Sequence, residues 1–519
     1  MKHTLSAVAL VLVLSALIFG ACAPPVTQPT AVPPLSEGEV CVDKTTGTRL
    51  SYQEALQIAR DSECLEQGQL KETHFCNENT GTWWIDLDIV KPGCAPACVV
   101  NVNDKSAAIN WRCTGLLPPA EGAALSEKPR VVAPAVDAAD LAAVVAGNSA
   151  FAFDLYQALR EAEGNLFYSP YSISAALAMT YAGARGDTEL QMADTLHFTL
   201  PQARLHPAFN GLDQMLAQRG KGAAGKDEQG FRLNIVNAIW GQKDYAFLAE
   251  FLDLLAENYG AGLRLLDFVR APEEARLIIN EWVSEQTEGR IKDLIPQGLI
   301  DELTRLVLTN AIYFNAAWAQ PFQEELTADG PFYLLDGSQV TVPMMRQTES
   351  FGYGEGQGYQ AVELPYDGQE LSMVILLPEK GNFEPFEAAL SAEGVQAIVQ
   401  GLQQRQVALT LPRFKFESAF ALADTLAAMG MPDAFGDAAD FSGMTGERDL
   451  FISEVIHKAF VAVDEAGTEA AAATAVIMKR LSMPEQPVEV SVDRPFVFLI
   501  RDIETGAILF IGRVVNPTA

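Results

Sequence analysis

The chain has 519 residues, 49% of them hydrophobic and 20% charged, a globular composition at a length beyond one ordinary domain. A formal net charge of −31 speaks against nucleic acid and against sulfated glycans as partners, since polyanions need a basic surface.

The chain begins MKHTLSAVALVLVLSALIFGAC: a basic start, an apolar run from Leu5 to Phe19, then small residues. Residues 1–21 read as a secretory signal, too short and too early for a durable membrane span. Gly20-Ala21-Cys22 resembles the lipobox of bacterial lipoproteins, with Phe19 where that family usually has leucine. The resemblance implies a lipid on Cys22 and a protein held outside a bacterial cell at a membrane. Without the lipid the protein is expected to be secreted. Residues 22–40 are rich in proline and read as a tether.

Of seven cysteines, Cys22 stands alone and the other six (Cys41, Cys64, Cys76, Cys94, Cys98 and Cys113) fall in one segment, residues 41–114. An even set in an exported segment predicts three disulfides, with the connectivity left open. A zinc site using Cys94 and Cys98 would lack a nearby histidine pair. Within this module SYQEALQIARDSEC predicts a helix, with Ser51 and Glu54 spaced for a capping box. TGTWWIDLDIV, ACVVNVN and SAAINWRC read as strands, the last two joined at Asp104-Lys105 as a hairpin. Trp83, Trp84 and Trp111 are expected mainly in the core of so small a domain, with a binding face as the other reading. The module is a small disulfide-rich α+β unit.

Residues 115–138 read as a second linker, and residues 139–519 as a large α+β domain. Asp140 to Gly164 has helical apolar spacing and predicts a helix ending on Gly164 as its cap. LNIVNAIWG, LTRLVLTNAIYFNAAW and LSMVILLP predict strands, and the C-terminal run predicts a hairpin turned at Glu504-Thr505-Gly506. No catalytic constellation is visible. The five histidines lack ligand spacing, and no zinc-protease, nucleophile-elbow, phosphate-loop or dinucleotide motif occurs. The chain therefore reads as a non-enzyme needing neither metal nor cofactor.

The segments NLFYSPYSISAALAMTYAGARGDTELQM, INEWVSEQTEGRIKDLI, LTNAIYFNAAWAQPF, LPRFKFES, ADFSGM, ISEVIHKAFVAVDEAGTEAAAATAV and DRPFVFLIRDIETGAILFIGRVVNP follow one another in order. Together they resemble the serpin family of protease inhibitors, over about three quarters of the chain. The resemblance implies three β-sheets surrounded by helices and a long exposed reactive loop. It also implies a suicide-substrate mechanism. A serine protease, and in some cases a cysteine protease, cuts the loop and is held as an acyl-enzyme while the loop inserts into the central sheet as a new strand.

The run after Glu465 suits that role. Strand side chains alternate between faces. Thr468, Ala470, Ala472, Thr474, Val476 and Met478 are uncharged, whereas Glu469 and Lys479 fall on the other face. The resemblance assigns the hinge to Glu465, Gly467, Thr468, Glu469 and Ala470, Ala471, Ala472 and Ala473. A non-inhibitory serpin would carry bulky, charged or proline residues there. The other alternative is a surface binding or adhesion protein acting through the cysteine-rich module.

The resemblance also places Ser169, Ser172, Asn310 and His457 in a hydrogen-bonded cluster beneath the opening sheet, the shutter. Trp318 falls where the loop first enters, the breach, and Arg413 matches a position for an ion pair with Glu465. Counting sixteen positions past Glu465 puts the scissile bond at Leu481-Ser482, with cleavage after Arg480 as the rival. Leucine suits chymotrypsin-, elastase- or subtilisin-like proteases, and arginine a trypsin-like one. The protein is expected to be monomeric.

Overall fold

The computed structural model describes residues 40–44, 46–62, 64–77, 81–89, 96–110, 126, 128–221, 223, 232–260, 263–468 and 486–518. The chain divides into two compact units on either side of Leu116 and Leu117. Cys22, Cys94, Trp111 and Cys113 lie outside the described residues.

In the N-terminal unit β1 (Val40–Val42) pairs antiparallel with β2 (Arg49–Ser51). Helix α1 (Tyr52–Arg60) follows directly, and its start carries the predicted capping box: Ser51 accepts from the Glu54 amide while the Glu54 carboxylate accepts from Ser51 N–H. After α2 (Cys64–Gln67) come β3 (Gln69–Asn77), β4 (Thr82–Asp88), β5 (Ala97–Asn101) and β6 (Ala107–Asn110), an antiparallel sheet in chain order. Disulfides join Cys41 to Cys76 and Cys64 to Cys98. Trp83 is in the core and donates to the Leu50 carbonyl at 2.9 Å. Strand alternation turns Trp84 to the opposite face, where it stacks on the exposed Phe75.

The second unit opens with α3 (Ala138–Leu159), β7 (Leu166–Tyr168), α4 (Pro170–Tyr181), α5 (Gly186–Thr195) and α6 (Gln202–Leu216). The sequence places the end of α3 at Gly164, but the helix stops at Leu159. The Arg513 guanidinium captures the carbonyls of Arg160, Ala162 and Gly164, so a tertiary donor replaces further helical bonds. The chain continues through β8 (Arg232–Gln242), α7 (Ala249–Tyr259), β9 (Arg264–Leu266), α8 (Pro272–Gln286) and β10 (Leu306–Ala317). Next come β11 (Ala328–Tyr333), β12 (Gln339–Gly356), β13 (Tyr359–Pro365), β14 (Leu371–Pro378), α9 (Phe383–Ala388), α10 (Ala392–Gly401) and β15 (Gln403–Pro412). The last elements are β16 (Phe414–Ala421), α11 (Ala423–Met429), α12 (Ser442–Thr445), β17 (Glu454–Asp464), β18 (Gly467–Thr468), β19 (Val488–Ser491), β20 (Phe496–Asp502) and β21 (Ile508–Val514).

The central sheet runs β16-β17-β18-β10-β8-β9. The other strands form a path β19-β15-β12-β13-β14-β20-β21-β7, with β11 on β12. The long β12 joins the two ends of this one continuous sheet, pairing with β15 along Met344 to Tyr353 and with β13 from Gly352 onward, so among the described residues the large unit shows two hydrogen-bonded sheets where the resemblance implies three. Strand β10 is buried almost throughout because both its faces are covered. Leu308, Ile312 and Phe314 face the main core, while Val307 and Ala311 pack with Ile279 and Val283 of α8.

The predicted linker 115–138 is not all linker. Lys128 to Asp137 runs along α6 and α7, held by hydrogen bonds from Arg130, Val131 and Ala133.

Candidate functional site

The site lies between β10 and β17. These strands pair in parallel from Val307/Glu454 to Ile312/Ala459, with Asn310 opposite His457. Toward the C-terminal ends they separate, and β18 fills the gap. Thr468 pairs with Ala316 on one side and Val463 on the other, and Gly467 pairs with Ala317 and Asp464. The fit requires glycine: a Cβ on Gly467 would sit 2.1 Å from the Ala316 carbonyl oxygen. Thr468 is 1% exposed, and its hydroxyl lies 2.8 Å from the Tyr366 hydroxyl.

The turn before β18 is tied down on all sides. Trp318 N–H donates to the Ala466 carbonyl and Phe322 N–H to that of Glu465, at 2.8 and 2.7 Å. The Trp318 indole donates to the Asp464 carbonyl at 3.0 Å and stacks on Tyr366 with centroids 4.7 Å apart. The expected ion pair is present: Arg413 Nη2 lies 2.6 Å from Glu465 Oε1, and Thr327 donates to the same oxygen. Burial by itself raises the Glu465 carboxyl, but the hydrogen bonds from Arg413 and Thr327 win and hold it below the ordinary carboxylate range.

The four residues assigned to the shutter come together. Ser169 caps α4, with Pro170 at the first helical position, and its hydroxyl accepts from Ser172 N–H at 3.2 Å. His457 is fully buried, and burial pushes its imidazole down to about 3. The neutral ring fits its partners: Nδ1–H donates to Asn310 Oδ1, and Nε2 accepts from Ser169 N–H at 3.2 Å. Asn310 Nδ2 donates to Ser172 Oγ at 2.5 Å and also to Asn237 Oδ1.

Asn237, on β8, completes this cluster and was missed in the sequence. It accepts from Ser172 Oγ at 3.0 Å and donates to the Ser172 carbonyl at 3.1 Å. Thr327 and Tyr366 at the breach were missed as well. A signal for Asn237 does exist: an amide inside the apolar strand NIVNAIW, as Asn310 stands inside LTNAIYF. Helix α4 thus touches both halves of the sheet, β8 through Ser172 and β17 through Ser169. Among the described residues no three His, Cys, Asp or Glu side chains form a metal site. Glu469 to Ala473, Arg480, Leu481 and Ser482 lie outside the described residues.

Comparison with known proteins agrees with this geometry. Residues 146–517 match the family described as Serpin (serine protease inhibitor). A leukocyte elastase inhibitor of Sus scrofa is 44% identical over 384 residues, covering 72% of this chain and 99% of that protein. Among solved structures, tengpin, a thermophilic serpin in the native state, superposes with a TM-score of 0.67 at 28% identity, covering 76% of this chain and 97% of tengpin. Human thyroxine-binding globulin complexed with thyroxine gives 0.66 at 33% identity, covering 73% and 100%. With the family matched along most of its length and the central sheet already holding the first residues of the loop, the chain belongs to the serpin family.

Proposed function

We propose that the large unit inhibits serine proteases as a suicide substrate, with cysteine proteases as further targets, and that it turns over no substrate of its own. The observation that carries this reading is β18, whose Gly467 and Thr468 already sit between β10 and β17. Continuing its antiparallel register down β10 would bring Ala470 beside Phe314, Ala472 beside Ile312, Thr474 beside Asn310 and Val476 beside Leu308. On the β17 side the same residues meet Val461, Ala459, His457 and Val455. The partners of the even-numbered residues belong to the main core or the shutter, so the uncharged face of the loop is the one that would be buried.

Inserting about a dozen residues yields on the order of 10 kcal/mol at roughly 1 kcal/mol net per hydrogen bond. Disabling an oxyanion hole costs a protease about 3–4 kcal/mol per lost donor, so the drive is sufficient. Thr474 would arrive between Asn310 and His457, and the shutter hydrogen bond would have to break to admit it.

The scissile bond is Leu481-Ser482, with cleavage after Arg480 as the rival. The relatives named leukocyte elastase inhibitor support an apolar primary residue. Export by residues 1–21 and a lipid on Cys22 would hold this inhibitor, with its cysteine-rich module, outside a bacterial cell. The test is incubation with chymotrypsin-, elastase-, subtilisin- and trypsin-like proteases, followed by SDS gels and sequencing of the released C-terminal fragment. An SDS-stable complex and Ser482 as the new N-terminus are expected. Cleavage without complex would end the inhibitory reading, and Leu481 at the N-terminus would make the protein a trypsin-type inhibitor.

A further inference from the structure

We infer that Ser126 and the segment from Lys128 to Val136 form a strap that restrains opening of the central sheet, with Arg130 as its lock. The inference rests on the reading that the sheet opens to take a strand. Such opening breaks the β10–β17 ladder, while the longer β8–β10 ladder, ten residue pairs from Leu306/Gly241 to Asn315/Arg232, stays whole. Strands β9, β8 and β10 therefore move as one half. Helix α7 belongs to that half, since its chain arrives from β8 and leaves into β9, which pairs with β8. Helix α6 packs on α7 too, where His206 Nδ1 lies 2.7 Å from the Tyr259 hydroxyl, but its packing on α3 and α4 keeps it with the body, so the α6–α7 seam is where the two parts meet.

The strap laces α6 to α7. On the α7 side, Val131 N–H donates to the Glu257 carbonyl at 2.9 Å, and Lys128 Nζ lies 3.0 Å from both the Asp253 and Glu257 carboxylates. Ser126 Oγ donates to Asp253 Oδ1 at 2.6 Å. On the α6 side, the Val131 carbonyl accepts from Asn210 at 2.9 Å and from Gln214 at 2.7 Å, while Gln214 Oε1 accepts from Ala133 N–H at 3.0 Å. Arg130 bridges both helices with one guanidinium. It donates to Asn210 Oδ1 at 2.9 Å and Asp213 Oδ2 at 2.6 Å on α6, and to the Asn258 carbonyl of α7 at 3.4 Å. The path is shaped for it: a Cβ on Gly260, the left-handed cap of α7, would lie 2.8 Å from Arg130 Cδ.

Behind Arg130 is a cavity of about 150 Å³ between α4, α6 and β8, lined by Tyr171, Phe209, Asp213, Asn237 and Tyr259 among others. Asn237 is the shutter amide of β8, so Arg130 covers the space beneath the half-sheet that must shift. Asp213, held by Arg130, also accepts from the Tyr171 hydroxyl of α4 at 3.4 Å. The strap thus joins a moving helix to a fixed one beside the shutter.

Hydrogen–deuterium exchange on the full chain tests this without any protease. Arg130→Ala is expected to raise exchange about tenfold at the amides of Leu308 to Ile312 and Val455 to Ala459, the fold-change that a lost hydrogen bond of about 1.4 kcal/mol produces. The double variant Ser126→Ala/Lys128→Ala, which changes side chains on the α7 side alone, is expected to move the same amides in the same direction, and it serves if Arg130→Ala does not fold. Faster exchange confined to α6 and α7, or none in either variant, would overturn the inference. Failure of the wild type to trap any protease would sink the proposed function but leave this measurement meaningful.

Discussion

Replacing Thr468 by arginine probes the first step of strand insertion. Thr468 is buried before any cleavage, beside Ala316, Val463 and Tyr366, none of which offers a carboxylate. If the hinge stays in the sheet, the guanidinium is buried unpaired, at a cost of about 3–5 kcal/mol. If the hinge leaves, it gives up the Tyr366 hydrogen bond and its ladder bonds, about 3 kcal/mol at roughly 1 kcal/mol each. On either route insertion starts about 3 kcal/mol higher and slows by on the order of a hundredfold. Deacylation is chemistry at the scissile bond and keeps its rate, so the partition moves from trap to substrate. The ratio of inhibitor cleaved to inhibitor trapped should then rise on the order of a hundredfold, read by titrating residual protease activity, and the SDS-stable band should fade. Glu469→Arg is the control: by strand alternation its side chain would take the opposite face on insertion, and trapping should stay intact. A Thr468→Arg protein that forms complex one-to-one at the wild-type rate would refute the reasoning.

Burial pushes His206 and His457 down to about 3, so between pH 6.5 and 3 the unfolded chain binds more protons and stability falls as the pH drops. Each histidine contributes about 2 kcal/mol of loss at pH 5; urea midpoints at pH 7 and 5 should show it, and His457→Gln should reduce the difference. Arg413→Ala leaves the Glu465 carboxylate, 5% exposed, without its cation; because Arg413 is itself 42% exposed, a loss of about 1–2 kcal/mol is expected, read from thermal unfolding and from Trp318 fluorescence. Extending the β5–β6 register three residues past Ala97/Asn110 would set Cys94 opposite Cys113. Pro96 turns its carbonyl to Leu87 of β4, so in that extended register the pair would be non-hydrogen-bonded, a geometry that suits a disulfide, and peptide mapping should find the Cys94–Cys113 link. Wild-type protein should partition into detergent and Cys22→Ala should not; an aqueous wild type would exclude the lipid.

What the sequence made legible was local or periodic. The capping box at Ser51 and Glu54 needs only three residues of chain. The hairpin at Glu504-Thr505-Gly506 forms where turn residues interrupt two apolar runs. Strand parity is likewise fixed by covalent geometry: Thr468 is buried, and in any strand that continued from it every second residue would take the same face. The shutter residues were legible only through resemblance, since nothing local to Ser169 or His457 announces that they meet.

What stayed hidden depends on register between distant strands. Asn237 joins Asn310 only because β8 and β10 pair with those two residues opposite each other, and Tyr366 reaches Thr468 across a hundred residues of chain. Gly164 misled for a related reason: its local signal as a helix cap is real, but Arg513, far along the chain, supplies the donors that end α3 five residues sooner. The strap is the sharpest case. Proline-rich composition marks residues 115–138 as linker, and composition cannot register that the Val131 carbonyl finds two amide donors on α6 or that one arginine spans two helices. If the sheet opens to take the loop as proposed, such contacts would set how readily it does so, because each one tying a moving element to a fixed one adds to the barrier. On that mechanism the uncharged face of the loop would determine whether it can enter, and the polar bonds at Asn237, Glu465 and Arg130 would determine when.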